Sequence, residues 1–333
     1  MAGMNKQVLL ASRPQGWVKE SDFNIVDTPM PVTKQGEILI KNLFLSLDPY
    51  MRGRMNDAKS YSAPVPIGGV MGGEAVGEVV ESKNPAFKPG DTVTAYTGWQ
   101  QYGVSDGTRV RKVDPKLVPP SAYLGVVGMP GVTAWVGLLD IGQPKAGETV
   151  VVAAASGAVG GVVGQLAKMK GARAIGIAGG KAKCNYVVKE LGFDACVDHR
   201  MPDFYDQLSA VTPKGIDVYF ENVGGPILDA VLRRVNAFAR IPLCGLISQY
   251  NATEPYGVKN ISSLLVNRVT LRGFIVSDHL DRWPTALAEL GTAVARGKIK
   301  YREHVTQGLE NAPKAFIGLL KGENFGKQVV KLT

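Results

Sequence analysis

A chain of 333 residues is long for one small domain and suits about two, at roughly 100–200 residues each. With 45% hydrophobic and 20% charged residues it can bury large cores, which excludes a chain disordered by composition. The formal charge of +9 comes from scattered lysines and arginines without an arginine-rich arm or nucleic-acid module. No nucleic-acid partner is expected, and the basic balance reads as a solvated surface that meets anionic ligands.

The segment Met1 to Leu10 has no long apolar run before a small-residue cleavage site, so no secretory leader is expected. Cys184, Cys196 and Cys244 lack paired spacing, which suits a reducing compartment, the cytoplasm. The first third reads as β-rich. Gly36 to Leu43, Ala75 to Glu81 and Asp91 to Ala95 alternate like half-buried strands, and Pro66, Pro85, Pro89, Pro115, Pro119 and Pro120 punctuate them. A compact, partly open barrel is expected there.

The character changes near Leu124. Gly131 to Asp140 has helical spacing, and strands and helices then alternate. Strands are expected at Thr149–Ala155, Arg173–Ala178, Ala195–Asp198, Ile216–Phe220 and Ala239–Cys244. Helices are expected at Ala158–Lys170, Ala182–Leu191, Phe204–Leu208, Ile227–Val235 and Pro284–Ala295. Such alternation builds a parallel sheet with helices on both faces. The tail carries a helix, Ala312–Leu320, and a strand, Lys327–Lys331, that return to the first domain. The expected domains are residues 1–125 with 297–333, and residues 126–296.

The uncharged stretch Thr149 to Ala167 is long enough to suggest a membrane span, but Ser156, Gln165 and Gly157, Gly160, Gly161 and Gly164 point elsewhere. It reads as an apolar strand, the turn Ala155-Ser-Gly157-Ala-Val-Gly160, and a helix. Gly157 would let the backbone approach a pyrophosphate, the helix N-terminus would meet it with free N–H groups, and Gly160 would let helix and strand lie close. An NAD site places a carboxylate about 20 residues on, at the end of the second strand. Here that strand runs into Gly179-Gly180-Lys181-Ala-Lys183, so the reading is NADP, with Lys181 or Lys183 drawing the 2′-phosphate.

What is absent narrows the chemistry. His199, His279 and His304 have no metal-ligand spacing, and three dispersed cysteines cannot build a four-Cys zinc site, so no metal is expected. None of the 11 tyrosines has Lys four residues on, and there is no Gly-x-Ser-x-Gly elbow or phosphate loop. A hydride carrier without metal or Tyr–Lys pair suits an activated C=C bond, because the substrate carbonyl already polarises the β-carbon.

Six ordered segments resemble the prostaglandin reductase and alkenal double-bond reductase branch of the medium-chain dehydrogenase/reductase superfamily. They are Leu47 to Met55, Gly128 to Ala134, Ala154 to Gly160, Phe220-Glu-Asn-Val-Gly-Gly225, Cys244 to Asn251 and Leu320 to Lys327. The resemblance implies an α/β protein: a doubly wound Rossmann sheet with a GroES-like, partly open β-barrel catalytic domain. Zinc-binding relatives carry Gly-His-Glu where this chain has Gly72-Gly73-Glu74.

By the same resemblance, Gly157, Ala158, Val159 and Gly160 would line the pyrophosphate of NADPH, and Lys183 would meet its 2′-phosphate. His199, where relatives often have Tyr, or Arg200 after it, would reach the same phosphate. Asn222 would contact the ribose or nicotinamide. Cys244, Gly245, Ile247, Ser248 and Tyr250 would form the loop beneath the nicotinamide, with Phe274, Ile275, Val276 and Asn324 completing the site. Tyr250 resembles a tyrosine near the substrate carbonyl, and Tyr50 an aromatic lid. The implied reaction is metal-independent hydride transfer to the β-carbon of a conjugated ketone or aldehyde, by a homodimer. A quinone oxidoreductase and a non-enzymatic NADPH-binding protein are the alternatives. Residues Thr253 to Lys259 are expected to form a flexible loop that reshapes the pocket.

Overall fold

The computed structural model describes residues 3–332. Met1, Ala2 and Thr333, which fall in the segment read for a leader and at the end of the tail, lie outside them. The chain divides into two compact units. One comprises Met1–Leu124, Glu303–Asn324 and Gln328–Thr333, the other Gly125–Arg302 and Phe325–Lys327.

The chain opens with strands β1 (Met4–Leu10), β2 (Phe23–Pro29) and β3 (Ile38–Ser46), the short helix α1 (Met51–Arg54), and strands β4 (Ala75–Ser82), β5 (Thr92–Ala95), β6 (Tyr102–Ser105) and β7 (Arg111–Lys112). Helix α2 (Met129–Trp135) begins the second unit, followed by β8 (Thr149–Ala153), α3 (Gly160–Met169), β9 (Arg173–Ala178), α4 (Lys181–Lys189) and β10 (Ala195–Asp198). Then come α5 (Phe204–Val211), β11 (Ile216–Phe220), α6 (Gly225–Leu232), β12 (Val235–Leu243), α7 (Ser262–Val266), β13 (Thr270–Gly273) and α8 (Trp283–Ala295). The chain ends with β14 (Glu303–Gln307), α9 (Ala312–Leu320) and β15 (Lys327–Lys331).

In the first unit β1 and β2 form an antiparallel pair. A second sheet runs β14-β15-β3-β4-β5-β7, with β6 against β3. Its core gathers Trp99, Phe23 and Phe316: Phe23 stacks on Trp99 at 5.7 Å, and Phe316 meets it edge-on at 5.6 Å.

The second unit holds a six-stranded sheet ordered β10-β9-β8-β11-β12-β13, all parallel. This is the Rossmann order 3-2-1-4-5-6. Its central strand β8 is buried at every residue, which is why Thr-Val-Val-Val-Ala reads as a continuous apolar run rather than an alternation. Among the described residues, no helix is long and apolar enough to cross a membrane. The uncharged stretch 149–167 is β8, its turn and most of α3.

Several boundaries differ from expectation for local reasons. The first strand stops at Ala153 because Ala154 turns left-handed, with φ 52°. The helix expected over Gly131–Asp140 is α2 running into a π-helical turn, Val136–Gly142, which ends at Gln143 with φ 45°. There a Cβ on Gly137 would stand 2.6 Å from the Phe220 and Phe274 rings, so helix and sheet meet at unusually short range. Strand β13 was not expected. Thr-Leu-Arg-Gly is exposed along its whole length and shows no apolar period.

Candidate active site: a dinucleotide cradle and a tyrosine cluster

The site is built first by the turn after β8. The Gly157 N–H donates to the Ala154 carbonyl at 2.9 Å, which closes the turn. A Cβ on Gly160 would lie 2.4 Å from that carbonyl oxygen and 2.9 Å from its carbon, so only glycine lets α3 start this close to β8. The N–H groups of Ala158, Val159 and Gly160 stand where the turn runs into α3. Those donors, with the dipole of a ten-residue helix, suit an anion such as a pyrophosphate. Gly157 also bridges to Gly326 within the same unit.

Beside this turn lies the topological switch point. β8 and β11 are neighbours whose successors run to opposite edges of the sheet, which opens a crevice at their carboxyl ends. Asn222 spans the two ends: its side-chain amide donates to the Ala153 carbonyl at 2.8 Å. The loop after β12 is laid against the loop after β11. The N–H groups of Cys244 and Gly245 donate to the Glu221 carbonyl at 2.9 and 3.2 Å, and that of Ile247 to the Asn222 carbonyl at 3.2 Å. Ser248 donates twice to the Val223 carbonyl, from its N–H at 3.0 Å and its hydroxyl at 2.6 Å. Thus Asn222, Cys244, Gly245, Ile247 and Ser248 belong to one interlocked wall.

Tyr250 closes this wall. Its ring is half-buried, and its hydroxyl accepts the Leu246 N–H at 3.4 Å, a long bond. A Cβ on Gly245 would come within 3.0 Å of that hydroxyl, so Gly245 makes room for the ring to fold over its own loop. Burial, and then the charge of Glu221, push the Cys244 thiol up to about 12, so it is no nucleophile at neutral pH. Phe274 is 9% exposed, with its ring edge-on to Phe220, while Ile275 and Val276 are half-buried.

At the far end of β9 the cradle is cationic. A Cβ on Gly179 would stand 2.9 Å from Nε of Arg200 and 3.0 Å from Nε2 of His199, so both side chains fold over this glycine. Lys183, on the first turn of α4, faces the same group: burial, then the Arg200 charge, lower its ammonium below the usual lysine range. Burial and Arg200 likewise lower His199. Lys183 and Arg200, crowded in this way, gain from an anion, and an anion would also draw a proton onto His199. Asp198, which the sequence reading did not weigh, organises the corner. Its carboxylate accepts the N–H of Gly180 at 2.9 Å and of Arg200 at 3.0 Å. Its position at the end of the third strand, two residues before Arg200, was the available signal.

A further carboxylate was missed. Asp229 on α6, 6% exposed, accepts the Tyr256 hydroxyl at 2.7 Å and the N–H groups of Lys259 and Asn260 at 3.0 and 2.8 Å. The Tyr256 N–H also donates to the Gln249 side chain at 2.8 Å. The loop expected to be flexible over Thr253–Lys259 is therefore pinned at Tyr256 and Lys259, because Asp229 offers four lone-pair directions to groups from one short segment.

Tyr50 and Asn324 belong to the first unit, Tyr50 just before α1 and Asn324 just after α9. The Tyr50 hydroxyl donates to Tyr96, which the sequence reading did not single out. Burial, then the neighbouring Tyr96, hold the Tyr50 phenol well above its ordinary range. The Arg54 guanidinium lies over the Tyr61 ring at 4.3 Å and the Tyr50 ring at 5.7 Å. The same cluster bears on zinc. A Cβ on Gly72 would fall 2.3 Å from the Tyr96 hydroxyl, and at Gly73, where zinc-binding relatives carry the ligand His, a Cβ would meet Met51 Cε at 3.1 Å and Leu45 Cδ1 and Trp99 Cδ1 at 3.2 Å, an apolar wall. Among the described residues, no three His, Cys, Asp or Glu side chains gather as ligands. The donor set does not fit zinc.

Comparison with known proteins agrees with this geometry. Residues 6–113 match the family described as the N-terminal domain of oxidoreductase, and residues 158–292 the zinc-binding dehydrogenase family. The chain is 51% identical to the NADPH-dependent curcumin reductase of Escherichia coli over 98% of its length and 97% of that protein's. It is 42% identical to the 2-alkenal reductase (NADP(+)-dependent) of Nicotiana tabacum over 99% and 98% of the two chains. The crystal structure of CurA from Vibrio vulnificus in complex with NADPH superposes with a TM-score of 0.94 at 53% identity, covering 98% of this chain and 99% of that one. The chain belongs to the medium-chain dehydrogenase/reductase superfamily, in the branch that holds the curcumin and alkenal reductases.

Proposed function

We propose that this protein uses NADPH to reduce the C=C bond of α,β-unsaturated ketones and aldehydes, without a metal. The observation that carries the cofactor choice is the cluster of Lys183, His199 and Arg200 folded about Gly179, with the Asp198 carboxylate turned onto backbone N–H groups. Two cations, a neutral histidine able to donate a hydrogen bond, and no available ribose-binding acid favour a 2′-phosphate over a free diol. Gly157, Ala158, Val159 and Gly160 would hold the pyrophosphate. Asn222, the 244–250 loop, Phe274, Ile275, Val276 and Asn324 would hold the ribose and nicotinamide. The bound cofactor would supply the hydride, and solvent or Tyr250 the proton that the α-carbon then takes.

The residues of the chain supply orientation and charge stabilisation. Tyr250, whose hydroxyl accepts the Leu246 N–H within its own loop, or a ribose hydroxyl is the donor assigned to the enolate oxygen that develops as hydride reaches the β-carbon. Tyr50 is assigned an aromatic contact with the substrate, and its raised phenol keeps it a neutral hydrogen-bond donor across the working pH range. We assign residues 1–125 and 297–333 to the catalytic domain and 126–296 to the dinucleotide-binding domain. The cytoplasm is the proposed compartment. A homodimer is also proposed: strand β13 is an exposed sheet edge, and Phe238, Ile261, Leu265, Val266 and Leu271 are exposed apolar groups of the same unit.

The test is NADPH oxidation with a panel of enones, a quinone and a simple aldehyde, repeated with NADH and EDTA. Saturated carbonyl products, a clear NADPH preference and no EDTA effect are expected. Turnover of the quinone alone would move the assignment to a quinone oxidoreductase, and tight NADPH binding without turnover to a binding protein.

A further inference from the structure

The mechanism above leaves unused the most deeply buried carboxyl of the second unit. Glu221 is 0% exposed and lies immediately after β11 at the switch point. Its Oε1 accepts the N–H of Val223 at 2.5 Å and of Gly224 at 2.9 Å. Its Oε2, equally buried, accepts no hydrogen bond. The Tyr219 hydroxyl lies beside it, close enough to interact but outside hydrogen-bonding geometry. Burial raises this carboxyl against the pull of the two amides. A carboxylate in such a place is costly, and its position needs a reason.

The reason lies in what those two amides belong to. Asn222, Val223 and Gly224 form the tight turn into α6, with Gly224 and Gly225 at φ 74° and 60°. The Asn222 side chain reaches the β8 end, and the Asn222 and Val223 carbonyls receive Ile247 and Ser248. Fixing the amides of residues 223 and 224 fixes the peptide planes that present the residue-222 and residue-223 carbonyls. We propose that Glu221 is a positioning residue: its side chain braces the 222–225 turn and, through it, the 246–250 loop that carries Tyr250. The role in catalysis rests on the functional reading above. The brace itself does not.

The experiment compares wild type, Glu221→Ala, Glu221→Asp and Glu221→Gln. Amide hydrogen exchange is followed in the cofactor-free protein, and NADPH KM and kcat with one enone. Gln keeps an oxygen at the same reach. Asp keeps the charge but is one methylene short of the two amides. Residues 223–225 and 246–250 should exchange roughly tenfold or more faster in the Ala and Asp variants, in line with loss of charge-assisted bonds. NADPH KM should rise by a similar factor, with kcat at saturating NADPH changed much less. Glu221→Gln should restore both, and if the Ala variant fails to fold, the Asp–Gln pair carries the comparison alone. Unchanged exchange in the two loops, or a Gln variant as loose as Asp, overturns the brace. Failure of wild type to bind NADPH would instead sink the functional reading, and with it the cofactor role of the brace, while the exchange result stands.

Discussion

The two sides of the switch point hold their loops by different physics. On the β8 side the turn is held by missing atoms: Gly160 lets α3 begin against the Ala154 carbonyl, and no charged side chain takes part. On the β11–β12 side the loops are held by two buried carboxylates, Glu221 for residues 223–224 and Asp229 for Tyr256, Lys259 and Asn260. A backbone fit does not respond to pH and fails only by collision. A carboxylate anchor can be loosened by protonation or by removal of one group. The difference suits the two tasks proposed above: a pyrophosphate would be the same in every turnover, whereas the loop that carries Tyr250 would meet varied substrates.

The comparison can be broken most severely at Gly160. A Gly160→Val chain places Cβ against main chain that no rotamer can clear, and overpacking of this kind costs about 1–3 kcal/mol or more. NADPH-dependent turnover should vanish, measured as NADPH oxidation alongside thermal unfolding. Wild-type KM in that variant would show that the turn is not held by close approach. On the other side, Tyr250→Phe should lower turnover by about 10²-fold or less if its hydroxyl supplies one enolate donor. Unchanged kinetics would remove that role.

A smaller effect is expected at the cationic corner. Lys183→Ala should raise the NADPH KM about tenfold, the scale of one charge-assisted bond, while the NADH KM stays put. Equal losses for both cofactors would mean that Lys183 supports the fold and not the 2′-phosphate. The smallest effect concerns pH. Burial tends to raise the Asp229 carboxyl, but the bonds from Tyr256, Asn260 and Lys259 outweigh it and hold the group below its ordinary value. A carboxyl lowered in the folded state stabilises fully above its unfolded value, about 3.9, and loses that contribution as pH falls through the folded one. Exchange at residues 256–260 should therefore be flat from neutral pH down to about 4 and quicken below it, relative to intrinsic rates. Asp229→Asn should remove that acid limb. An identical pH profile in both proteins would show that Asp229 does not anchor the loop.

The same contrast governs how much could be read from the sequence. A close-approach turn leaves a spaced trace, and Ala155-x-Gly157-x-x-Gly160 after an apolar strand shows it. β8, β9 and β11 were visible for a similar reason, since central parallel strands are unbroken apolar runs. Edge strand β13 is exposed on all four residues and left no such trace. The carboxylate anchors were illegible because their partners obey no periodic spacing: Glu221 turns back on residues two and three ahead, and Asp229 reaches groups 27 to 31 positions away. Glu221 stood inside a quoted motif, yet only its burial and its two amides reveal a task. Asp198 likewise looked like an ordinary strand-end residue. Tyr96 became meaningful only when its hydroxyl was found in the space of a side chain at Gly72.

The central claim is hydride delivery to carbon, and isotope transfer tests it most directly. NADPH carrying deuterium at both C4 positions of the nicotinamide would be turned over with a simple conjugated ketone and the product examined by NMR. One deuterium on the β-carbon of the saturated ketone is the predicted result. Deuterium on the carbonyl carbon of an allylic alcohol, or a product without label, would contradict it.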